Sequence, residues 1–525
     1  MSQEMRPLEA SFAAELRVVR PELLPGFAEC LPGARAAVLA RLWRALLFEP
    51  GLAAAVPPAA RERLRGPRPR PYDVGAPKDE LALRLGDREY THPAELLDDL
   101  GVPGGQGLVA ELDHSVASLA LSRADAVDRV GDTLVDHEQS VVDGHPYHPC
   151  CRSRLGFTVA DQLAYAPEHR RRVPLGLVAV PSARCLLVGD WPEQLRDGGL
   201  VLLPAHPWQL REVLPGTGFA GTGDTLPAAP LMSVRTLAPV DGGPHLKTSL
   251  SLRMTSSVRD ISGESVLNSA PLSALLERVC AELGGALRIS RNLAAAAALT
   301  GGVPSPDLAV LVRELPEAHA GPGERVVPLA ALAEHPPELA DPVPWLRALA
   351  GLAWTPLLRL LALGVAMEAH GQNLLVVLDP LDRPLRLVYR DLADVRVSRE
   401  RLAARGVRAD DLGGHVLDDD PVALRRKLFG SVLGGTLSAL VSALGRGDRQ
   451  LERLLWEAVA AEAGAAARAE LTPEDRRALL REPLPVKALT QMRLTGQRPG
   501  DQWTLLPNPL AGAAPAGPGA EILGW

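Results

Sequence analysis

The sequence has few lysines, few aromatic residues and no excess of positive charge. Only four of its 56 basic residues are lysines, and aromatic residues make up 4% of the chain. The net charge of −7 argues against nucleic acid as the main partner, because phosphate backbones bind basic surfaces. Since arginine has replaced lysine almost everywhere, a lysine that persists is a candidate for a site that needs a compact point charge. The four lysines are Lys78, Lys247, Lys427 and Lys487.

Paired cysteines, long apolar runs and targeting segments are also missing. The five cysteines form no CxxC pair, which argues against a disulfide framework. No apolar run reaches the ~20 residues of a membrane span. The longest candidate, residues 356–367, is interrupted by Arg359. The N-terminus has early acidic residues and no apolar segment after a basic start, so no signal peptide is expected. These features predict a cytoplasmic protein without a membrane partner.

The hydrophobic pattern predicts an α+β protein. At 525 residues the chain is too long for one ordinary core. Helical periodicity dominates the first part, with segments at 34–47, 93–100 and 116–135. Short β-type runs between Gly and Pro turns then predict an antiparallel sheet with strands at 175–180, 185–188, 200–203 and 246–253.

Helical patterns return from residue 271 and continue to about residue 481, with loops at 301–306 and 321–325. Within this half, residues 374–378 and 385–389 read as two strands joined by a turn rich in proline and aspartate. The tail from residue 507 is expected to be loose. We therefore predict three units, at 1–135, 136–305 and 306–525.

A first polar cluster is the segment HPYHPCCRSRLGF at residues 145–157. It combines two histidines and two arginines with prolines that stiffen the backbone. Arginine binds carboxylate and phosphate bidentately, so the segment predicts one wall of an anion pocket. One alternative is a zinc site, since Cys150 and Cys151 are ligand types, although two arginines would repel a cation. The other alternative is a purely structural loop.

A second cluster combines positive charge with hydroxyl groups on predicted strands. In KTSLSLRMTSSVR, residues 247–259, alternate side chains share a face, which places Lys247 and Arg253 together with three hydroxyl residues. The segment SVRT at 233–236 is predicted to lie on another strand. Cations and hydroxyl donors on one sheet face favour a polyphosphate ligand. The alternative is an amphipathic strand with a solvated outer face.

A third cluster lies around the predicted strand pair. The segment EAHGQN at 368–373 precedes the first strand, and Arg390 and Asp391 follow the second. Glu, Asp and Asn oxygens beside a histidine suit a Mg²⁺ and phosphate site. The alternative is a capped helix with a satisfied histidine.

Local signals predict how this third cluster is arranged. We expect a helix that begins at Thr355-Pro356 and ends at Gly371. If Leu378 pairs with Leu385, the antiparallel register places Asn373 opposite Arg390 and Gln372 opposite Asp391. Both halves of the cluster then meet at one end of the hairpin.

Together these segments resemble the aerobactin-synthetase (IucA/IucC-like) family of NRPS-independent siderophore synthetases. The resemblance covers residues from about 140 to 495 and is specific because many weak motifs occur in one order. These motifs are HPxHPxx(K/R)xRxGF at 145–157, HPWQ at 206–209, SxRT at 233–236, KTSLSLRMTSSVR at 247–259, EAHGQN at 368–373, RD at 390–391 and KxLxxMRL at 487–494.

The resemblance implies a helical N-terminal thumb, β-rich fingers with an antiparallel sheet, and a helical palm that carries the β-hairpin. ATP and Mg²⁺ would bind between fingers and palm. A carboxylate, typically citrate or a related polycarboxylate, would be adenylated with release of pyrophosphate. An amine or hydroxyl nucleophile would then displace AMP. The implied partners are these small molecules and a second copy of the chain in a homodimer.

The resemblance also implies roles for residues that match the family's motifs. Arg259 and His370 would stabilise charge in the adenylation transition state, and Glu368 and Asp391 would lie near the metal. The ATP-binding residues would be Ser233, Arg235, Thr236, Lys247, Thr255, Ser256, Gln372 and Asn373. The residues that grip the substrate carboxylates would be His148, Arg152, Arg154, Lys487 and Arg493.

Two positions depart from the family pattern. Arg152 stands where lysine is usual, and Asp260 stands where threonine is commoner, so the carboxylate that is used stays open. Two other functions also stay open. A kinase-like phosphotransferase would use a similar hairpin and Mg²⁺ but would form ADP. A siderophore- or polycarboxylate-binding protein would bind its ligand without consuming ATP, although the presence of both Glu368 and Asp391 weighs against this reading.

Overall fold

The computed structural model of the protein describes residues 5–73, 81–127, 131–255, 257–494 and 500–511. Helices dominate up to Gln139, a large antiparallel sheet lies between Val173 and Arg313, and helices with a small sheet follow from Arg325. This arrangement confirms a mixed protein of helices and antiparallel sheet. The predicted site residue Ser256 and the tail beyond residue 511 lie outside the described residues.

The N-terminal part is a helical unit with its own apolar core. Its longest helix, Leu24–Phe48, buries Leu39 and Leu42 in a core that also contains Leu112 and Leu119 of Gln106–Ala124. The predicted helix at 116–135 was too long, because this helix ends at Ala124. The helices of this part are Pro7–Val19, Leu24–Phe48, Pro50–Ala55, Pro58–Arg61, Pro93–Asp99, Gln106–Ala124 and Leu134–Gln139, beside short strands Leu64–Arg65, Leu83–Leu85 and Arg88–Tyr90.

A nine-stranded sheet, in which every neighbouring pair is antiparallel, forms the centre. The predicted strands at 175–180, 185–188 and 200–203 are confirmed. The strands, in their order across the sheet, are Cys185–Gly189, Asn292–Thr300, Val303–Arg313, His245–Thr248, Thr236–Pro239, Gly221–Pro230, Val173–Pro181, Leu200–Ala205 and Arg196–Asp197. The helices Val159–Tyr165, Pro207–Glu212, Gly263–Leu267 and Ser269–Ala281 belong to the same part of the chain.

Two long central strands lie where helix was predicted, except that residues 303–306 of the second were predicted as a loop. The strand Asn292–Thr300 contains a run of five alanines, a composition that favours helix in isolation. Its alanines contribute alternately to two apolar clusters, one on each face of the sheet. A strand that is covered on both faces shows a continuous apolar run instead of alternation, so its pattern resembles that of a helix. The predicted unit boundary at residue 305 falls inside the partner strand, Val303–Arg313.

The predicted strand at 246–253 is divided in two. His245–Thr248 belongs to the large sheet, whereas Leu250–Met254 pairs with Ser257–Arg259 in a separate hairpin. The predicted continuous polar face from Lys247 to Thr255 was therefore wrong. The apolar face of the second strand is confirmed, because its leucines and Met254 pack in one buried cluster with Phe157 and Trp208.

The C-terminal part surrounds a four-stranded sheet with the order Leu287–Ile289, Pro384–Tyr389, Leu374–Leu378 and Arg325–Pro328. The two predicted strands pair in the predicted antiparallel register from Leu374↔Tyr389 to Val377↔Arg386. An irregularity then places Leu378 opposite Pro384. The helices are Leu329–Glu334, Pro342–Leu363, Arg399–Ala403, Pro421–Ser431, Ser438–Gly445, Arg449–Glu470, Pro473–Leu480 and Gln491–Leu494, with a π-helical turn Val432–Leu437.

The helix before this hairpin begins and ends earlier than predicted. Asp341 caps it by accepting from Val343 N at 3.0 Å, and Pro356 lies inside the helix. The helix ends at Leu363, and Gly364 follows with a φ of 99° that favours glycine. Gly371 has another reason to be glycine, because a Cβ there would lie 2.9 Å from Ala330 N. The residues between Gly364 and Leu374 are therefore an irregular connection, not a helix end.

Three helical stretches are long and apolar enough to cross a membrane by length and composition alone. They are Pro21–Phe48, Pro342–Leu363 and Pro421–Gly445. The expectation that no segment reaches this length was wrong, because it considered only uninterrupted apolar runs. Of the most apolar window of each stretch, 44%, 56% and 72% respectively is buried against the rest of the protein.

Candidate active site

The irregular connection before the hairpin and the residues after it meet as predicted. Arg390 N donates to Asn373 O at 3.0 Å, which places the two segments side by side. The Arg390 side chain also donates to Gln372 O at 3.0 and 2.8 Å, and it pairs with Glu138 at 2.5 Å. Asp391 has a φ of 68°, a backbone conformation that costs energy for a residue other than glycine and is often found at functional sites.

The carboxylate of Asp391 faces cations of the large sheet. Lys247 Nζ donates to Asp391 Oδ1 at 2.6 Å, and Arg313 Nη2 lies 3.2 Å from the same oxygen. Burial alone would raise the pKa of Asp391, but Lys247 and Arg313 outweigh it and hold the pKa far below its usual value. Burial lowers the pKa of Lys247 to about 8 despite this pairing. The prediction that sheet cations approach the hairpin end agrees with this contact.

Glu368 is held by two of the four lysines. Its Oε2 accepts from Lys427 Nζ at 2.6 Å, and its Oε1 accepts from Lys487 Nζ at 2.7 Å. Asp501 lies 3.1 Å from the Lys487 ammonium and 3.6 Å from that of Lys427. Burial opposes ionisation of Glu368, but Lys487 and Lys427 outweigh it and lower its pKa well below the usual value. For Lys487 burial acts in the lowering direction, and Glu368 and Asp501 prevail to raise the pKa.

Arg259 faces the same acids from the neighbouring hairpin. Its Nη2 donates to Thr255 Oγ1 at 2.5 Å and to Met254 O at 3.0 Å. Burial lowers the pKa of Arg259, whereas the charges of Asp394, Asp391 and Glu368 raise it in that order, so these acids lie within electrostatic reach of the guanidinium. The cationic hairpin and the acidic end of the 374–389 strand pair therefore face one another.

The SVRT segment forms a turn, and its strand begins only at Thr236. Ser233 Oγ donates to Thr236 Oγ1 at 2.8 Å, and Arg235 donates to the carbonyls of Arg259 and Asp260 at 2.6 and 2.5 Å. Burial and the charge of Arg259 lower the pKa of Arg235 to about 10. The predicted strand position of Ser233 and Arg235 was wrong, yet the turn brings Arg235 to the Arg259 hairpin.

Three further predicted residues lie beside Glu368. His370 and Gln372 are half-buried, and Asn373 is buried with its Nδ2 at 3.5 Å from Glu368 O. Burial lowers the pKa of His370 against the pull of Glu368, so the ring is mainly neutral near pH 7. The structure therefore brings His370 to the acids of this site, as predicted.

The arginines of the HPYHPCCRSRLGF segment have partners inside the protein. Both terminal nitrogens of Arg154 donate to Glu168, at 2.8 and 3.1 Å, and the side chains of both residues are almost fully buried. Arg152 donates to the carbonyls of Val142, at 2.6 Å, and Val141. These contacts leave neither guanidinium free to grip a substrate, which corrects the predicted arrangement and favours the structural-loop alternative for this half of the segment.

The remaining predicted carboxylate ligands differ in their surroundings. His148 is fully buried, its Nδ1 accepts from Cys150 N at 3.0 Å, and burial followed by the charge of Arg259 lowers its pKa to about 3. The His148 ring therefore lies within electrostatic reach of Arg259. Arg493 instead pairs with Glu111 of the N-terminal helices, with its Nε at 2.6 Å from Oε2. The structure therefore keeps Lys487 in contact with Glu368 and His148 within electrostatic reach of Arg259, whereas Arg493 pairs elsewhere.

Four residues of this site were not predicted from the sequence motifs. They are Arg313, Asp394, Lys427 and Asp501. The scarcity of lysine was the available signal for Lys427, because three of the four lysines in the sequence pair with Glu368 or Asp391. No comparable signal marks Arg313 or the two aspartates, which lie outside the recognised motifs.

The donor set suits a magnesium ion that arrives with phosphates. In the described ranges no group of three or more His, Cys, Asp and Glu side chains could hold a metal by itself. Mg²⁺ usually needs only one or two carboxylates when phosphate oxygens and water complete its shell. Asp391 and Asp394, which both act on Arg259, meet that need. Glu368 would first have to release a lysine, so its role as a metal ligand stays a prediction.

One cleft of about 590 Å³ lies away from these residues. It is lined by Arg288, Arg291, Glu314 and Arg386 among others, and by none of the predicted site residues. We place the candidate active site at the Glu368 and Asp391 cluster instead. That cluster is where strongly shifted pKa values, opposed charges and partial exposure coincide.

Two regions of the chain match known families. Residues 133–334 match the IucA/IucC family, and residues 344–502 match a family described as ferric iron reductase FhuF-like transporter.

Named relatives and solved structures agree with the first match. The rhizobactin siderophore biosynthesis protein RhbC of Rhizobium meliloti is 28% identical over 63% of this chain and 66% of its own length. The L-2,3-diaminopropanoate–citrate ligase of Staphylococcus aureus is 26% identical over 67% of this chain and 70% of its own length. Another S. aureus synthase is aligned over only 54% of its length, so the chain spans less than two thirds of some relatives. Over residues 133–334 the chain is therefore similar to the IucA/IucC family.

Two solved structures share the fold. The petrobactin biosynthesis protein AsbB of Bacillus anthracis has a TM-score of 0.75 and 19% identity, with 97% of this chain and 99% of that chain covered. ATP-bound aerobactin synthetase IucA of Klebsiella pneumoniae has a TM-score of 0.72 and 20% identity, with 85% and 92% covered. At these identities the likeness is evidence for the fold alone.

Proposed function

We propose that this protein is an ATP-dependent ligase of siderophore-type biosynthesis. It activates a polycarboxylate such as citrate as the acyl-adenylate and joins it to an amine or hydroxyl nucleophile. Support comes from the names of its relatives, which include a citrate ligase and siderophore biosynthesis proteins, and from the name of the ATP-bound neighbour. In the described fold, the helical N-terminal part, the large sheet and the C-terminal part correspond to thumb, fingers and palm.

The nucleotide phosphates bind between the large sheet and the strand pair at 374–389. Arg235, Lys247 and Arg259 approach this space from the sheet and its neighbouring hairpin, and Arg313 adds a fourth cation. Lys247 and Arg313 exchange the carboxylate of Asp391 for phosphate oxygens when ATP binds. Because the site already holds cations in low-dielectric surroundings, little reorganisation is needed when negative charge develops on the reacting phosphate.

Asp391 and Asp394 hold the magnesium ion together with the phosphates. The ion, when bound, neutralises phosphate charge and orients the oxygens. His370 is mainly neutral and donates a hydrogen bond towards the reacting group, while Gln372 and Asn373 line the nucleotide side. Thr255 keeps Arg259 directed at the acids through its 2.5 Å hydrogen bond.

Lys487 and His148 bind the substrate carboxylate. Lys487 contacts Glu368 and is half-buried with an accessible side chain, and His148 lies within electrostatic reach of Arg259. An incoming carboxylate replaces Glu368 as a partner of Lys487, which keeps the ammonium paired throughout. The protein acts in the cytoplasm as a homodimer in this proposal, and size-exclusion chromatography with light scattering tests the dimer.

The observation that carries the proposal is the contact of Lys247 and Arg313, on the large sheet, with the carboxylate of Asp391 at the end of the hairpin. The test is a product assay with ATP, Mg²⁺, citrate or another polycarboxylate, and a panel of polyamines and amino alcohols. We expect AMP and pyrophosphate in a carboxylate-dependent reaction. Formation of ADP would instead support a phosphotransferase, and carboxylate binding without ATP consumption would support a binding protein.

A further inference from the structure

A second group of positive and hydrogen-donating side chains lies where the first helical unit meets the HPYHP segment. Arg41, on helix Leu24–Phe48, donates to the carbonyls of Pro146 at 3.1 Å and Asp143 at 3.2 Å. Its third nitrogen, Nη1, is buried and has no hydrogen-bond partner among the described residues. Two backbone carbonyls thus fix the orientation of a guanidinium that keeps one donor unused.

The histidines of this segment are held in one tautomer by their sequence. In each His-Pro pair the ring Nδ1 accepts from the backbone N–H two residues on: Tyr147 N to His145 at 3.2 Å, and Cys150 N to His148 at 3.0 Å. The same contact occurs at His92 and His206. His335 lacks it because residue 337 is proline and has no N–H. An accepting Nδ1 leaves Nε2 as the donor, so both rings direct an N–H away from the backbone.

His148 Nε2, like Arg41 Nη1, is buried without a partner among the residues that the structure describes. A buried polar atom that lacks a hydrogen bond is unfavourable, and such atoms are rare in native proteins. Two of them lie around one short segment here. A ligand that accepts from both would recover this free energy.

Two arginines lie near these donors. His145 is exposed, and the pKa of its ring is lowered well below its usual value by desolvation, followed by the charges of His148, His370, Arg41 and Arg44. Asp143 lies 4.0 Å from Arg41 and is held bidentately by Arg123 at 2.8 and 2.6 Å.

These donors lie beside the candidate active site. The ring of His145 lies 6.2 Å from that of His148, and the pKa of His145 is influenced by His370, which adjoins Glu368. On the other side His148 is within electrostatic reach of Arg259. A reactant at Glu368 and Asp391 with a second anionic group would therefore extend towards Arg41.

We propose that Arg41, His145 and His148 form a subsite for an anionic oxygen group of a reactant, either a carboxylate that is not activated or a phosphate. Arg41 contributes the charge, and the two neutral rings contribute N–H donors. This inference rests on the proposed function and deepens it, because it assigns a residue of the first helical unit to recognition of the reactants.

Equilibrium titration of the full chain with citrate, and separately with Mg²⁺–ATP, tests the subsite without turnover. Arg41→Gln removes the charge and should weaken one of the two ligands about tenfold, which corresponds to ~1.4 kcal/mol. If only the affinity for citrate falls, the subsite binds a carboxylate. If only the affinity for Mg²⁺–ATP falls, the subsite binds a phosphate. Unchanged affinity for both ligands would overturn the subsite.

The matched control is Arg123→Gln, which loosens Asp143 on the other side of the same segment and removes no donor from the proposed subsite. An equal loss of affinity in both variants would mean that Arg41 only supports the loop, and the proposal would fail. If thermal melting shows that Arg41→Gln is unfolded, Arg41→Lys replaces it. The lysine variant keeps the positive charge but loses the planar guanidinium group. It should therefore bind the ligand that occupies the subsite less tightly than the wild type does, and it should bind the other ligand with unchanged affinity. Identical affinities for both ligands would reject the subsite.

The two proposals fail separately. If the wild type releases no pyrophosphate with any carboxylate, the ligase function falls, while the titrations still decide the subsite. If pyrophosphate is released and Arg41→Gln binds both ligands as the wild type does, only the subsite falls.

Discussion

The protein contains two buried groups of opposite charges that look alike in the sequence. One joins Arg152 and Arg154 to Glu168, and the other joins Lys247, Lys427 and other cations to Glu368 and Asp391. In the first group, both Arg154 nitrogens and both Glu168 oxygens are matched, and the side chains of Arg154 and Glu168 are 3% and 0% exposed. In the second, Asp391 and Lys487 are 22% and 26% exposed.

In the proposed function, this difference separates a structural ion pair from the group that takes part in the reaction. A matched pair in a closed interior leaves no hydrogen-bonding capacity for a ligand. In the accessible group, by contrast, lysines hold the acids by single contacts that phosphate or carboxylate groups can replace. Lysine suits that exchange because it is a point charge on a flexible stem, whereas the arginine fork suits permanent bidentate pairing. Accessibility and residue type together therefore predict which group performs chemistry.

The largest expected effect is on the group that joins Arg154 to Glu168. Arg154→Ala leaves the buried carboxylate of Glu168 without its bidentate partner, so we expect a loss of about 3–5 kcal/mol in the free energy of unfolding. Chemical denaturation measures it, and Arg154→Ala combined with Glu168→Gln should recover much of the loss. Normal stability with a raised KM for citrate would instead restore Arg154 as a substrate ligand.

Arg259→Ala tests the accessible group around Glu368 and Asp391. Removing a preorganised cation from the reacting phosphate should lower kcat by about 10²–10³, equivalent to ~3–4 kcal/mol, with little change in melting temperature. The contrast is Arg253→Ala on the same hairpin, because Arg253 is exposed and should affect pyrophosphate release less than twofold. Near-normal turnover of Arg259→Ala would remove this residue from the mechanism.

Glu334 separates desolvation from ion pairing, because it is only partly exposed, whereas Glu168 is fully buried, and it has no salt bridge among the described residues. Its Oε1 accepts from Val142 N at 2.5 Å and Asp143 N at 2.8 Å. Burial, followed by the charge of Asp143, raises its pKa from 4.5 to about 7. The folded carboxyl therefore binds its proton more tightly than the unfolded one. The resulting stabilisation is complete below pH 4.5 and is lost as the pH rises through about 7.

Glu334→Gln keeps the acceptor oxygen and cannot ionise. We expect it to be more stable than the wild type by roughly 3 kcal/mol at pH 8 and similar to it at low pH, which urea denaturation across this range measures. A variant that is less stable at pH 8 would show that Glu334 is ionised and favourable in the folded protein.

Local signals predicted the part of the fold that carries the site. The turn between the two strands at 374–389 contains proline and aspartate, and the flanking residues are aliphatic, so the strands and most of their register could be derived. Asn292–Thr300 could not be derived, because alanine favours helix and only the sheet neighbours on both sides make it a strand.

The candidate site was predictable as a set of motifs but not as a set of contacts. The sequence indicated that Lys247, Arg259, His370 and Asp391 act together, and the structure brings them to one place. It did not reveal that Glu168 matches Arg154, because nothing in the spacing shows which distant acid folds against an arginine. Lys427 was partly predictable. The scarcity of lysine indicated that it could be functional, but no motif assigned it a role.

The smallest expected effect comes from applying the same distinction to two cations of one short C-terminal segment, Lys487 and Arg493. Lys487→Ala removes a cation that contacts Glu368. It should raise the KM for the carboxylate about tenfold, which corresponds to ~1.4 kcal/mol, while the KM for ATP changes less. Arg493→Ala removes a cation that pairs with Glu111, so it should lower stability and leave the KM for the carboxylate unchanged. Steady-state pyrophosphate release and melting curves measure both. If Lys487→Ala kept its KM while Arg493→Ala lost affinity, accessibility would not be the property that separates substrate-binding cations from structural ones in this protein.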